Sequence, residues 1–208
     1  MPRIKPTDEQ LRSQIKAVAA EKYSTEPIED KIANSLLTDG QFLGRLDARE
    51  LALIMRNVVF HVFDQHKIGG RGLGLIHNVP SMKVAIKEKQ AQIGFVVHIH
   101  KPIVAFLEFK YHLINDPVSI APAVRLKTGS LSITEHTRRF DLKAKAALAA
   151  INIEDLAHKE LADPMSVICS TLPPQLKKRG ATGIITCADL ALTDRHLEVC
   201  LKGEFRSL

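Results

Sequence analysis

One segment constrains this chain more than any other: a run near residues 46–66 that reads as a helix apolar over most of its circumference. Leu46, Leu51, Leu53, Ile54, Met55, Val58, Val59, Phe60, Val62 and Phe63 surround it, and Asp47 stands where an N-terminal cap belongs. Its polar residues Arg49, Glu50, Arg56, Asn57, His61 and Asp64 fall on one narrow stripe. A helix of this kind is buried on most sides. It is too interrupted by charge to be the ~20-residue apolar run that spans a bilayer. Other parts of the chain must therefore wrap it.

The wrapper predicted by the sequence is a sheet. From about residue 81 the hydrophobic period changes to two. Val84 and Ile86 alternate with polar neighbours, then Ile93, Phe95, Val97 and Ile99, then Ile103, Ala105, Leu107, Phe109, Tyr111 and Leu113. Lys101-Pro102 and Asn115-Asp116-Pro117 break the runs. The third run is about twice the length of a common strand, so it must twist and curl. A strand pair around Lys127-Thr128-Gly129-Ser130 is expected over 124–134.

Helices flank this body. Thr7 or Asp8 caps a stripe of Leu11, Ile15, Val18 and Ala19. A second helix follows Pro27, carries Ile28, Ile32 and Leu36, and stops at Asp39-Gly40. The stretch 138–151 fits either periodicity, its alanines favouring helix, and a short helix follows from Asn152 to Leu161. Asp163-Pro164 opens another, with Met165, Ile168, Cys169, Leu172 and Leu176 on one face. Pro173-Pro174 is expected to kink or end it. A hairpin over 184–205, turning at Thr193-Asp194-Arg195-His196, closes the chain. The reading is α+β: one domain over 1–208, with 1–45 a helical extension and 46–208 a helix-plus-sheet body.

Composition bounds the class. With 45% hydrophobic and 25% charged residues the chain is a globular one. Cys169, Cys187 and Cys200 form neither a disulfide framework nor a zinc pattern, and favour a reducing, cytoplasmic setting. The polar N-terminus lacks the apolar core of a signal peptide. A net charge of +6 favours acidic partners such as an anionic membrane surface. The basic residues are dispersed and there is no Trp, so nucleic acid is not an expected partner.

Motifs that carry chemistry are sparse. His98 and His100 share a strand face, and His112 joins them by the expected register, yet a solvated histidine row is the simpler reading than a metal site. His61 and Asp64 read as a polar helix edge. Gly69-Gly70-Arg71-Gly72-Leu73-Gly74 lies between helix and strands, the wrong context for phosphate binding, and reads as a connection. Arg138-Arg139 and Lys177-Lys178-Arg179 are short basic groups that could share one anion-facing surface. No catalytic residue, metal site or cofactor is expected.

The order of elements resembles the tubular lipid-binding superfamily, especially its small bacterial members of the mannan-assembly lipoprotein type. The resemblance rests on the strands Gln92–His100 and Pro102–Asn115, the turn Asn115-Asp116-Pro117, the helix from Asp163-Pro164 to Gly180 and the closing hairpin. It implies a curved sheet around a long helix with an apolar groove between them. Mapped on this chain, Ile93, Phe95, Val97, Ile99, Leu107, Phe109, Tyr111 and Leu113 would face Ile54, Val58 and Val62 and hold a lipid or another apolar ligand. The chain departs from that family in lacking an export signal and in adding the helices of residues 7–38. The alternative expectation is a closed core whose sheet edge or basic face binds a protein or an acidic polymer.

Overall fold

The computed structural model describes residues 5–65, 76–101, 105–115, 124–135 and 164–207. Within them lie helices α1 (Asp8–Lys22), α2 (Glu26–Asp39), α3 (Ala48–Gln65) and α4 (Pro164–Lys178). The strands are β1 (Gln41–Leu46), β2 (Ile76–Lys87), β3 (Gln90–Lys101), β4 (Ala105–Asn115), β5 (Val124–Glu135), β6 (Ala181–Leu192) and β7 (Leu197–Ser207). The protein is α+β with two antiparallel sheets, one ordered β2-β3-β4-β5 and the other β1-β7-β6. Among the described residues no helix is long and apolar enough to cross a membrane.

The helix boundaries follow local chemistry. Thr7 and Gln10 form a capping box, each side chain taking up the other's backbone N–H. Asp47 Oδ1 accepts from the N–H groups of Arg49 and Glu50 at 2.8 Å, and Glu50 Oε2 accepts from the Asp47 N–H at 3.0 Å. Gly40 ends α2 at φ 68°, the left-handed stop its sequence implied. Helix α4 runs through Pro173-Pro174, so the prolines do not end it. Both prolines face solvent, while Leu172 and Leu176 are buried beside them, so packing on the inner side outweighs the backbone bonds lost on the outer side.

Two strand assignments also differ from the sequence reading. The segment Gln41–Leu46, left unassigned between two helices, is β1; it pairs with β7 from Gln41↔Lys202 to Leu46↔Leu197. The 45/46 boundary therefore falls inside a strand. Residues 124–135 form one continuous strand rather than a pair, with Gly129 opposite Tyr111 and Ser130 opposite Lys110. A long β4 left half-unpaired would expose a row of backbone groups, and pairing along its length overrides the local turn signal. The readings at 69–74, 138–151, 152–161 and Arg138-Arg139 fall outside the described residues.

A single hydrophobic core joins the parts. Ile28, Ile32, Ala33 and Leu36 of α2 meet Leu51, Met55, Val58 and Val59 of α3, the inner face of β3 and β4, and Leu190, Val199 and Leu201 of the smaller sheet. Asn115 links the two sheets at their ends: its Oδ1 accepts from the Leu192 N–H at 2.6 Å and its Nδ2 donates to the Leu192 carbonyl at 3.0 Å.

The β2–β3 hairpin turns through Glu88 and Lys89, both with positive φ (53° and 58°). Two consecutive left-handed residues match the twist of a hairpin but suit Asn-Gly far better than Glu-Lys. Replacing Glu88-Lys89 with Asn-Gly is expected to stabilise the protein by about 1 kcal/mol. Urea unfolding reads this as a higher midpoint at unchanged slope; a lower midpoint would show that the native turn side chains hold the hairpin.

Candidate functional site

The residues predicted to line a groove do come together. Ile54, Val58, Ile93, Phe95, Val97, Ile99, Leu107, Phe109, Tyr111 and Leu113 all belong to the core, none more than 5% exposed. Their rings pack on one another. Phe95 stacks on Phe109 at 4.5 Å, Phe63 of α3 meets Phe109 edge-on at 6.1 Å, and Tyr111 meets Phe95 edge-on at 6.0 Å. The side chain of Val62 lies outside the described residues. Open volume borders this packed centre on two sides.

One opening is a groove of about 800 Å³ where the first turn of α3 crosses the sheet, between Ala48 and Ala52 on one side and Met82, Val84, Ile93 and Tyr111 on the other. Met82 and Val84 face the core side of β2 but are only half-buried. The Tyr111 hydroxyl is buried with no hydrogen-bond partner among the described residues, and burial pushes its pKa far above the ordinary phenol value.

The other opening is a cavity of about 570 Å³, partly open to solvent, bordered by α1, α3 and the start of β2. Leu11, Ile15, Val18 and Ala19 of α1 form its roof, Phe60 and Val79 its floor. No residue of α1 is buried. Ion pairs hold the helix down, Lys16–Asp64 at 2.8 Å and Asp8–Lys101, both exposed and therefore weak.

A cation sits in this apolar cavity. Arg56 is only 9% exposed and its guanidinium stacks over the Tyr23 ring, 3.3 Å from the centroid. Its Nε and Nη2 donate to the Val79 carbonyl at 2.7 and 2.5 Å. That carbonyl is free to accept because β2 bulges here: the register jumps from Asn78↔His98 to Ser81↔Val96 and leaves Val79-Pro80 out of the ladder. Pro80 has no N–H to give a ladder, so the bulge forms where the sequence permits it. Burial lowers the Arg56 pKa, an effect partly opposed by Tyr23. Beside it, Asn78 Oδ1 is buried with no partner among the described residues.

The histidine expectation divides. His98 and His100 adjoin, ring centroids 4.0 Å apart, and His98 stacks on Phe106 at 4.1 Å. His112 does not join them: it pairs with Gln92 while His98 pairs with Phe106, about 20 Å along the strand at ~3.3 Å per residue. His112 does share the mixed face of the sheet with His98, as expected, and only its distance along the strand keeps the rings apart. Burial lowers the His100 pKa, and among the described residues no group of three or more metal-ligating side chains forms. Asp64 pairs with Lys16, and the His61 side chain is outside the described residues. Arg179 is tied to Asp30 and Asn34 of α2. Cys169, Cys187 and Cys200 form no disulfide with one another.

Sequence reasoning missed three residues of interest: Arg56, Tyr23 and His77. His77 is buried between the Phe60 and Phe63 rings and its Nε2 donates to the Phe60 carbonyl at 3.2 Å. A charged residue on a helix apolar almost all round was the available signal for Arg56.

Comparison with protein-family models, with curated proteins and with solved structures finds no match.

Replacing Tyr111 with Phe removes a buried hydroxyl that has no partner among the described residues, and is expected to leave stability unchanged or raise it by up to about 1 kcal/mol. The unfolded chain ionises this tyrosine near pH 10 while the folded protein keeps it neutral, so stability is level below about pH 10 and falls above it. Denaturant midpoints across alkaline pH should therefore decline less steeply in Tyr111→Phe than in the parent.

Proposed function

We propose that this protein binds an apolar ligand without transforming it, holding the ligand in the cavity beneath α1. The observation that carries this reading is the roof: an amphipathic helix with no buried residue of its own covers about 570 Å³ of apolar-walled space. An ordinary core helix would drop into that volume and bury Leu11 and Ile15. Small-molecule sites commonly enclose ~300–1,000 Å³ behind apolar walls with a few polar groups, which describes this cavity. A ligand here gains about 0.8 kcal/mol for each methylene taken from water. The weak ion pairs of α1 give it a cheap route to open and reclose. The resemblance to tubular lipid-binding proteins points to the same ligand class, with the ligand displaced from the filled helix–sheet interior to its flank.

Mass spectrometry of an organic extract from gently purified protein should reveal a stoichiometric apolar compound. Ala19→Trp, which fills the cavity from a half-exposed helix position, should abolish uptake of a neutral alkyl fluorophore while circular dichroism and melting temperature stay at parental values. A folded Ala19→Trp variant that still takes up the probe with parental affinity would remove the cavity as the site.

A further inference from the structure

We infer that the ligand of this cavity is an amphipathic anion, an alkyl chain ending in a carboxylate, and that Arg56 is the group that pairs with its charge; this rests on the cavity reading above. The argument begins with the state of Arg56. A guanidinium has five N–H donors and a full positive charge, and is weakly hydrated enough to be tolerated in apolar surroundings when paired. Here its partners are the Val79 carbonyl and Tyr23, which offers both its aromatic face and a side-chain hydrogen bond. Both are neutral, and among the described residues no carboxylate forms an ion pair with it. The acidic groups of its own helix are paired elsewhere, Asp64 with Lys16 and Glu50 with Lys31. An uncompensated charge in an apolar cavity is costly unless a counter-ion completes it.

The geometry selects the kind of anion. Val79 engages Nε and Nη2, so the guanidinium edge that includes Nη1 lies outside that pair of bonds. A carboxylate fits a single guanidinium edge, where paired N–H donors meet its two oxygens. A phosphate monoester carries up to about two negative charges and calls for further cations. Those at hand are otherwise placed, Lys16 on Asp64 and Lys22 beside the Tyr23 ring at 5.4 Å. Asn78 Oδ1 on the same wall supplies an acceptor for a water accompanying the carboxylate. The rest of the lining, from Leu11 and Ile15 to Phe60 and Val79, suits a hydrocarbon tail.

The test compares dodecanoate with methyl dodecanoate, which share a chain and differ in charge, by calorimetric titration of the full-length protein. Dodecanoate is expected to bind at least about tenfold more tightly, the scale of one charge-assisted hydrogen bond. In Arg56→Met the acid should weaken to the affinity of the ester while the ester is unaffected. Equal binding of acid and ester to the wild type would overturn the anion assignment and leave the cavity standing. Binding of neither would overturn both. An unchanged preference for the acid in Arg56→Met would remove Arg56 as the pairing group. Should Arg56→Met fail to fold, Ala19→Trp decides the location: persistence of the preference in that variant places the anion elsewhere and sinks the proposal.

Discussion

Everything in this structure answers to the need of α3 for cover. A helix with apolar residues on most of its sides has no stable solution against a single flat partner. The chain meets the demand from several directions. The inner face of β3 and β4 covers one side, and α2, α4 and the smaller sheet cover others. Among the described residues, the polar stripe containing Arg56 and Asn57 faces α1 across the cavity. Because that stripe is polar, α1 cannot bury itself there as the other elements do. The cavity is thus what remains when a helix with a charged seam is packed inside an otherwise apolar fold.

The sequence made this main constraint legible because it acts through periodicity. Helical spacing located α1, α2, α3 and α4, and alternation located β3, β4 and the β6–β7 hairpin. The expected inner-face residues Phe95, Val97, Leu107 and Phe109 lie in the same buried cluster as residues of α3. What escaped was set by long-range pairing. β1 is six residues long and owes its conformation to β7, more than 150 residues away, so nothing local marks it beyond the alternation of Phe42, Gly44 and Leu46. The continuity of β5 through Gly129, and that of α4 through two prolines, likewise reflect neighbours that outvote local propensity.

The candidate site was less legible for a related reason. Groove-lining and core-lining residues obey the same alternation, so periodicity identifies a face without stating whether a neighbour fills it. Here Phe63, Phe95 and Phe109 fill the centre with their own rings. The cavity at the flank depends instead on Pro80 breaking a ladder, on a carbonyl released by that break, and on Tyr23 arriving from the α1–α2 junction. Each is a readable residue, yet their convergence is a property of the tertiary structure.

Asn115 closes the account of how two sheets become one body. At the last residue of β4 its side-chain amide presents a donor and an acceptor to the backbone of Leu192, reproducing the pair of bonds that a neighbouring strand would make. The side chain thereby behaves as a peptide unit grafted across a gap, and the two sheets share a hydrogen-bonded seam at that point. Displacing β6 by one residue would put Ala191 or Thr193 opposite that amide and misalign both bonds at once. The Asn115 amide therefore acts as a registration mark: it fixes the longitudinal position of the C-terminal hairpin relative to β4.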